Sequence, residues 1–244
     1  MPELLFYNKT LPLNRQSHAN ARVLPVAGNY SFAAAINSVP LAGKEFAEAG
    51  KEYPIVFSET KGKDIVPVAL LGIRSGQNLY LDGRGGWSAR YIPAFIRRYP
   101  FILASDRQNG AENLTVCVDA SYPGFDGGNG EVLFDENGEY APFLRNTISF
   151  LQDCHHHFRI TETFSEKLVL TGLLTPYSAK FDLASGKSFT LGRFLIVDEK
   201  KLLQLGGEPV LELFRSGQLA WIYFHLASLA NLGPLVDLAA ARSN

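Results

Sequence analysis

The stretch Pro142-Phe-Leu-Arg-Asn-Thr-Ile-Ser-Phe-Leu-Gln-Asp-Cys-His-His-His-Phe158 decides how the chain is read. Leu144, Ile148, Leu151, His155 and Phe158 recur at spacings of three and four, which places them on one buried helical stripe. Pro142 suits the first helical position, where its missing N–H has no partner to lose. Upstream of Pro142 the apolar residues come instead in short β-branched and aromatic runs, the pattern of strands. The change of rhythm predicts an α+β fold, with an antiparallel sheet mainly from the N-terminal half covered by helices from the C-terminal half.

Working back from Pro142, Val132 to Tyr140 carries a hairpin signal around Asp135-Glu136-Asn137-Gly138. Phe101 to Ala104 and Leu114 to Val118 read as a strand pair, and Tyr53 to Phe57, Ile65 to Ile73 and Asn78 to Leu81 as a meander. Gly43 to Ala49 reads as a short helix. The first 40 residues, with Pro2, Pro12, Pro25 and Pro40, read as an extended arm tied down by Val23, Leu24, Val26, Tyr30 and Phe32. Working forward, a second helix is predicted over Thr163 to Leu173. A hairpin of Ala179 to Leu183 and Ser188 to Val197 follows, around the Ala184-Ser185-Gly186-Lys187 turn. Asp198 is placed to cap a helix from Glu199 to Leu205, and Pro209 opens a final helical region with a break at Gly217 and a stop at Gly233-Pro234. No repeat or linker divides the chain, so residues 1–244 read as one domain: an arm over 1–40, a sheet-rich part over 50–140 and a mainly helical part over 142–244.

The 244 residues are 46% hydrophobic and 19% charged, enough apolar material for a sizeable core. Twenty-three Lys and Arg against 24 Asp and Glu leave a net charge of −1, which argues against a general nucleic-acid binder or a polybasic membrane-surface protein. Cys117 and Cys154 match no CxxC spacing or disulfide framework, and a cytoplasmic, reducing location is expected. The N-terminus has no basic region ahead of an apolar run. The apolar stretch Leu219 to Leu232 is about 14 residues against the ~20 needed to cross a bilayer, so no transmembrane span is expected. GxSxG, GxGxxG, Walker and HExxH patterns are absent, and no cofactor is named by any motif.

From Arg74 to Arg107 there are six arginines, no lysine and two aspartates. Within this segment Asp82-Gly-Arg-Gly-Gly-Trp87 reads as a loop and Ser88 to Tyr99 as an amphipathic helix. Tyr91, Ile92, Phe95, Ile96 and Tyr99 would lie on its inner face, with Arg90 and Arg97 outside; a start at Pro93 would instead leave Arg90 in the loop. Arg84, Trp87, Arg90, Arg97 and Arg98 are the candidate ligand-binding residues, because guanidinium groups form planar forks to carboxylate or phosphate and an indole adds apolar area. The structural alternative is an ordinary turn followed by solvated arginines. From Glu112 to Glu139 there are seven acids and no Lys or Arg, which could pair with the arginine segment. The Asp126 to Glu131 loop offers oxygen ligands without calcium-loop spacing, and Asp119, Asp126 and Glu131 are candidate acid-base carboxylates. In Cys154-His155-His156-His157 successive side chains are turned ~100° apart, so the run is not a compact metal site. His18 and the apolar-helix His225 read as structural.

The blocks Tyr53 to Phe57, Val68 to Gly72, Asn78 to Asp82, Trp87 to Phe101, Leu133 to Gly138, Phe189 to Leu202, Ser216 to Leu219 and His225 to Leu229 resemble the bacterial SapC family, most specifically in the Arg90 to Phe101 segment. The resemblance implies a name drawn from surface-layer association, a frequent label of peptide transporter permease, and gene clusters shared with flavin-dependent halogenases, cupin-like proteins and outer-membrane receptors. It supplies no catalytic residues. The leading expectation is an accessory or binding protein for a small anionic metabolite or peptide. An enzyme acting on a small anionic metabolite, either metal-free or using an oxygen and imidazole metal site, with acids and histidines converging, is the first rival, and an oligomeric scaffold or surface-layer assembly protein is the second.

Overall fold

The computed structural model describes residues 5–108, 111–125, 128–182 and 188–242. The N-terminal part holds β1 (Thr10–Pro12), α1 (Arg15–His18), β2 (Arg22–Val23), β3 (Ser38–Pro40), α2 (Phe46–Ala49), β4 (Ile55–Glu59), β5 (Ile65–Leu70), α3 (Ala94–Arg97), β6 (Phe101–Gln108), β7 (Ala111–Asp119) and β8 (Glu131–Val132). After it come α4 (Pro142–Leu170), β9 (Leu174–Asp182), β10 (Ser188–Val197), α5 (Glu199–Gln204), α6 (Glu208–Arg215), α7 (Gln218–Ser228) and α8 (Leu232–Ala241). The fold is α+β, with antiparallel sheets drawn mainly from the N-terminal half and helices from the C-terminal half.

A five-stranded sheet has the order β3-β5-β4-β10-β9, and a three-stranded sheet the order β1-β7-β6. β4 is central in the larger sheet, and Ile55, Val56 and Phe57 are all fully buried, which is why its sequence is a continuous apolar run instead of an alternation. Phe57 packs against Phe164 of α4 and His225 of α7, so the two helices meet over this strand. The C-terminal hairpin β9–β10 completes the larger sheet by pairing β10 with β4. The expected arm is woven in: β1 pairs with β7, β2 with β8 and β3 with β5.

α4 runs without a break for 29 residues, where two helices were expected. At 1.5 Å per residue it is about 43 Å long. Its first half buries Leu144 and Leu151 in a cluster with Val23, Phe101, Val118 and Leu133. Its second half buries Phe164 and Leu168 in the larger core with Phe46, Phe57 and Ile222. Cys154, not His155, takes the buried position between Leu151 and Phe158, so the stripe is one residue off the expected register there.

Three further expectations are corrected. Asn78 to Leu81 is not a strand, because the Asn78 amide donates to Ala33 O and accepts from Tyr80 N, occupying groups a ladder would use. Gly233-Pro234 does not stop the last helix: Pro234 falls in the first turn of α8, where an N–H has no helical acceptor to lose. The helical path Gln218–Ala241 is consequently 24 residues, with an 18-residue window of mean hydropathy 1.3, long and apolar enough to cross a membrane by length and composition, and 33% of that window is buried against the rest of the fold. The Ala184 to Lys187 turn lies outside the described residues.

Candidate functional site

Arg97 and Arg98 are carried by α3, a single turn set between Pro93 and Pro100. Prolines at both ends keep the chain from extending the helix, so the predicted Ser88 to Tyr99 helix shrinks to Ala94–Arg97 and Arg90 stands in the preceding loop. Glu45 fixes the turn. Its buried Oε1 accepts from the Tyr91 hydroxyl and the Ala94 N–H, both at 2.7 Å, and Oε2 accepts from Ala42 N–H at 2.9 Å. Burial, with the Glu45 charge adding to it, pushes the Tyr91 hydroxyl well above its ordinary pKa.

This turn forms one wall of a cleft of about 330 Å3, continued by Tyr99, Pro100 and Phe101. Val23 to Val26 form the second wall, and Phe143, Asn146, Thr147 and Phe150 of α4 the third. Among the described residues no aspartate or glutamate lines it. Apolar surface with a few convergent polar groups is the usual composition of a small-ligand site.

Of the two cations in the wall, Arg98 is the buried one, only 7% exposed. Its guanidinium carbon sits 3.7 Å from the Phe95 ring centre and 5.8 Å from that of Tyr7. Nε and Nη2 are closed to solvent and have no hydrogen-bond partner. Among the described residues no carboxylate pairs with it. Burial lowers the Arg98 pKa, yet a guanidinium stays charged throughout the physiological range. The same burial pushes the Tyr7 hydroxyl up to about 12, opposed by Arg98, and the Cys154 thiol up to about 11, with Glu45 adding and Arg98 and Arg97 opposing. Tyr7 spends its O–H on Phe101 O, at 2.8 Å.

The structure splits the five sequence-predicted residues. Arg97 lies exposed beside Arg98 at the cleft, its Nε donating to Ile92 O at 2.9 Å and its guanidinium 5.1 Å from the Phe150 ring. Arg84, Trp87 and Arg90 do not line the cleft. Arg84 is exposed in a turn closed by Asp82, whose Oδ1 accepts from the Arg84 and Gly86 N–H groups. Trp87 is engaged in the core edge, its indole N–H donating to Tyr53 Oη at 2.7 Å while Tyr53 donates to Tyr91 O. Arg90 is exposed and its backbone N–H donates to the Glu52 carboxylate. Phe95 was placed on the inner face by its spacing, whereas the contributions of Tyr7 and Glu45 had no signal in the sequence. Phe143, Thr147 and Phe150 did have one, a second stripe at spacings of four and three beside the buried one.

The acids and histidines are distributed otherwise. Asp119 is fully buried and accepts from the Asn8, Lys9 and Ser121 N–H groups and the Ser121 hydroxyl. Burial acts to raise its pKa, but these hydrogen bonds outweigh it and hold the carboxyl below the usual range. Asp126 lies outside the described residues, and Glu131 is exposed in β8. Lys44 Nζ donates to His157 Nε2 at 3.2 Å, and partial burial with the Lys44 and His156 charges lowers the His157 pKa. Among the described residues no three His, Cys, Asp or Glu side chains gather in a metal-binding group.

A family model described as SapC matches residues 13–235. The chain belongs to the SapC family. No curated protein and no solved structure gives a match. All three cleft walls fall inside the SapC-matched span, whereas Tyr7, which faces Arg98, precedes it.

Proposed function

We propose that this SapC-family chain is a binding protein that holds the anionic group of a small metabolite or peptide in the cleft at Arg97 and Arg98. One observation carries the reading: Arg98 is a nearly buried cation at a ligand-sized cleft with two N–H groups unpartnered and, among the described residues, no carboxylate paired with it. Leaving a buried charge uncompensated costs several kcal/mol, and an incoming anion offsets that cost. Arg97 adds positive charge at the exposed side. The test uses 1-anilinonaphthalene-8-sulfonate, an apolar body with one anionic group, against its neutral relative N-phenyl-1-naphthylamine. Arg98→Met is expected to weaken binding of the anionic dye about tenfold while leaving the neutral dye unaffected, the scale of one lost charge-assisted contact. Arg97→Ala should weaken it a few-fold with an unaltered melting temperature. Equal binding of the anionic dye by wild type and Arg98→Met would overturn the assignment.

A second reading, self-association, is favoured by the exposure of Leu170 at 85%, Leu203 at 73% and Phe214 at 70%. Lys201 Nζ donates to Gly172 O and Lys167 pairs with Glu212, which brings α5 and α6 to the C-terminal end of α4, where Leu170 stands. Apolar side chains gathered in this way mark an interaction surface, here assigned to a second copy of the chain. Light scattering is expected to give a dimer that Phe214→Ser converts to a monomer. A wild-type monomer would refute self-association without touching the cleft.

A further inference from the structure

We infer that the anion taken by the cleft is a carboxylate carried on an aryl or branched alkyl body, an inference that rests on the anion-binding reading above. The two unpartnered atoms of Arg98 are Nε and Nη2, which lie on the same edge of the guanidinium. Their N–H groups are parallel and coplanar, the arrangement that a carboxylate's two oxygens meet in a bidentate pair. Phe95 packs over the guanidinium at 3.7 Å, which holds its plane against the ring and leaves that edge as the pair of donors still to be satisfied. The remaining walls contribute aromatic and branched surface from Val23, Val26, Phe101, Phe143 and Phe150, and no cation besides Arg97. One anionic end and an apolar remainder therefore match the lining better than a polyanion. Because Nε and Nη2 are closed to solvent, the carboxylate reaches them only after a wall side chain yields, so binding includes a local rearrangement.

The probes are 3-phenylpropionate, the isosteric 3-phenylpropionamide and inorganic phosphate, titrated into the full chain while the Arg98 Nε–H resonance and the affinity are followed. Arg98→Lys, which keeps a positive charge but loses the parallel N–H pair, identifies the resonance by its disappearance. The expected result is that the acid moves the Nε–H signal and binds at least about tenfold tighter than the amide, and that Arg98→Lys removes most of this difference. Phosphate moving the signal while the acid does not would overturn the carboxylate assignment and leave the anion cleft standing. Acid and amide binding equally, with the signal still, would overturn both, as would no response to any probe. Should Arg98→Lys fail to fold, the comparison of acid with amide on the wild-type chain decides alone.

Discussion

Taking a guanidinium out of water without a carboxylate beside it costs more than packing an apolar chain in the same volume, and Arg98 is in that situation. Arg98→Met is therefore expected to raise the unfolding free energy by about 1–4 kcal/mol while it removes anion binding. Urea denaturation measures it, and a destabilised variant would show that the arginine is held for structure. Glu45 is the opposite kind of buried charge, because each of its oxygens has a donor. In Glu45→Gln the retained carbonyl can still serve Tyr91 and Ala94, but the new amide N–H groups face the Ala42 N–H, donor against donor. A loss of about 1–3 kcal/mol is expected, read from the same urea curves. Weaker anion binding should accompany it, since Glu45 positions the turn that carries both arginines. Unchanged stability would remove Glu45 as the anchor.

Helix α7 is fastened to the larger sheet by His225, whose Nδ1–H donates to Ile55 O at 2.8 Å and whose Nε2 accepts from Val197 N–H at 3.0 Å. The bond from Val197 N–H needs the neutral ring, because a protonated Nε2 cannot accept, and burial pushes the ring's pKa down to about 4 from 6.5, against the Ile55 hydrogen bond that favours the charged ring. Below pH 6.5 the unfolded chain takes up a proton that the folded chain refuses. The stability contributed by this site is thus complete above pH 6.5 and lost as pH falls toward 4, a difference of about 3 kcal/mol over the window. Unfolding free energies at pH 7 and pH 4.5 should show this slope, and His225→Gln, although less stable, should flatten it; identical slopes would exclude His225 as the source. The helix also lies close on Gly43, where an added Cβ would come within 2.2 Å of Trp221 Cε3, so Gly43→Ala should cost about 1–3 kcal/mol in thermal or urea unfolding. Wild-type stability in that variant would mean that the indole has room to move. Elements whose causes are local were legible in the sequence: Pro142 at the start of α4, Asp198 accepting from Lys200 and Lys201 N–H at the start of α5, and the β9–β10 pairing. Elements decided at a distance were not. Asn78 broke a strand through Ala33, Cys154 took the buried place on the stripe that spacing had given to His155, and Pro234 was read as a stop although its place in a first turn makes it harmless. The cleft was half legible: the charge of Arg97 and Arg98 is written in one segment, but its other walls come from residues 23–26 and 143–150, and sequence proximity wrongly added Arg84, Trp87 and Arg90.

At the scale of the molecule the cleft lies on a seam. Tyr99 belongs to the larger core, Phe101 and Val23 to the smaller, and all three line the cavity. The two cores are joined along α4, which buries Leu144 and Leu151 in one and Phe164 and Leu168 in the other with no interruption of its backbone hydrogen bonds. A helix fraying at one core loses packing at the other, so the two should melt together and residues 1–244 should unfold as one cooperative unit. Leu144→Ala is expected to cost about 2–5 kcal/mol and Phe164→Ala about 3–5 kcal/mol, each from the cavity left behind. Calorimetry should show both variants lowering the temperature of the same single transition. Were the seam a true boundary, the wild-type trace would contain two transitions and Leu144→Ala would move only one. A ligand seated between the cores touches both, and under the single-unit account saturating 3-phenylpropionate raises that one transition temperature as a whole.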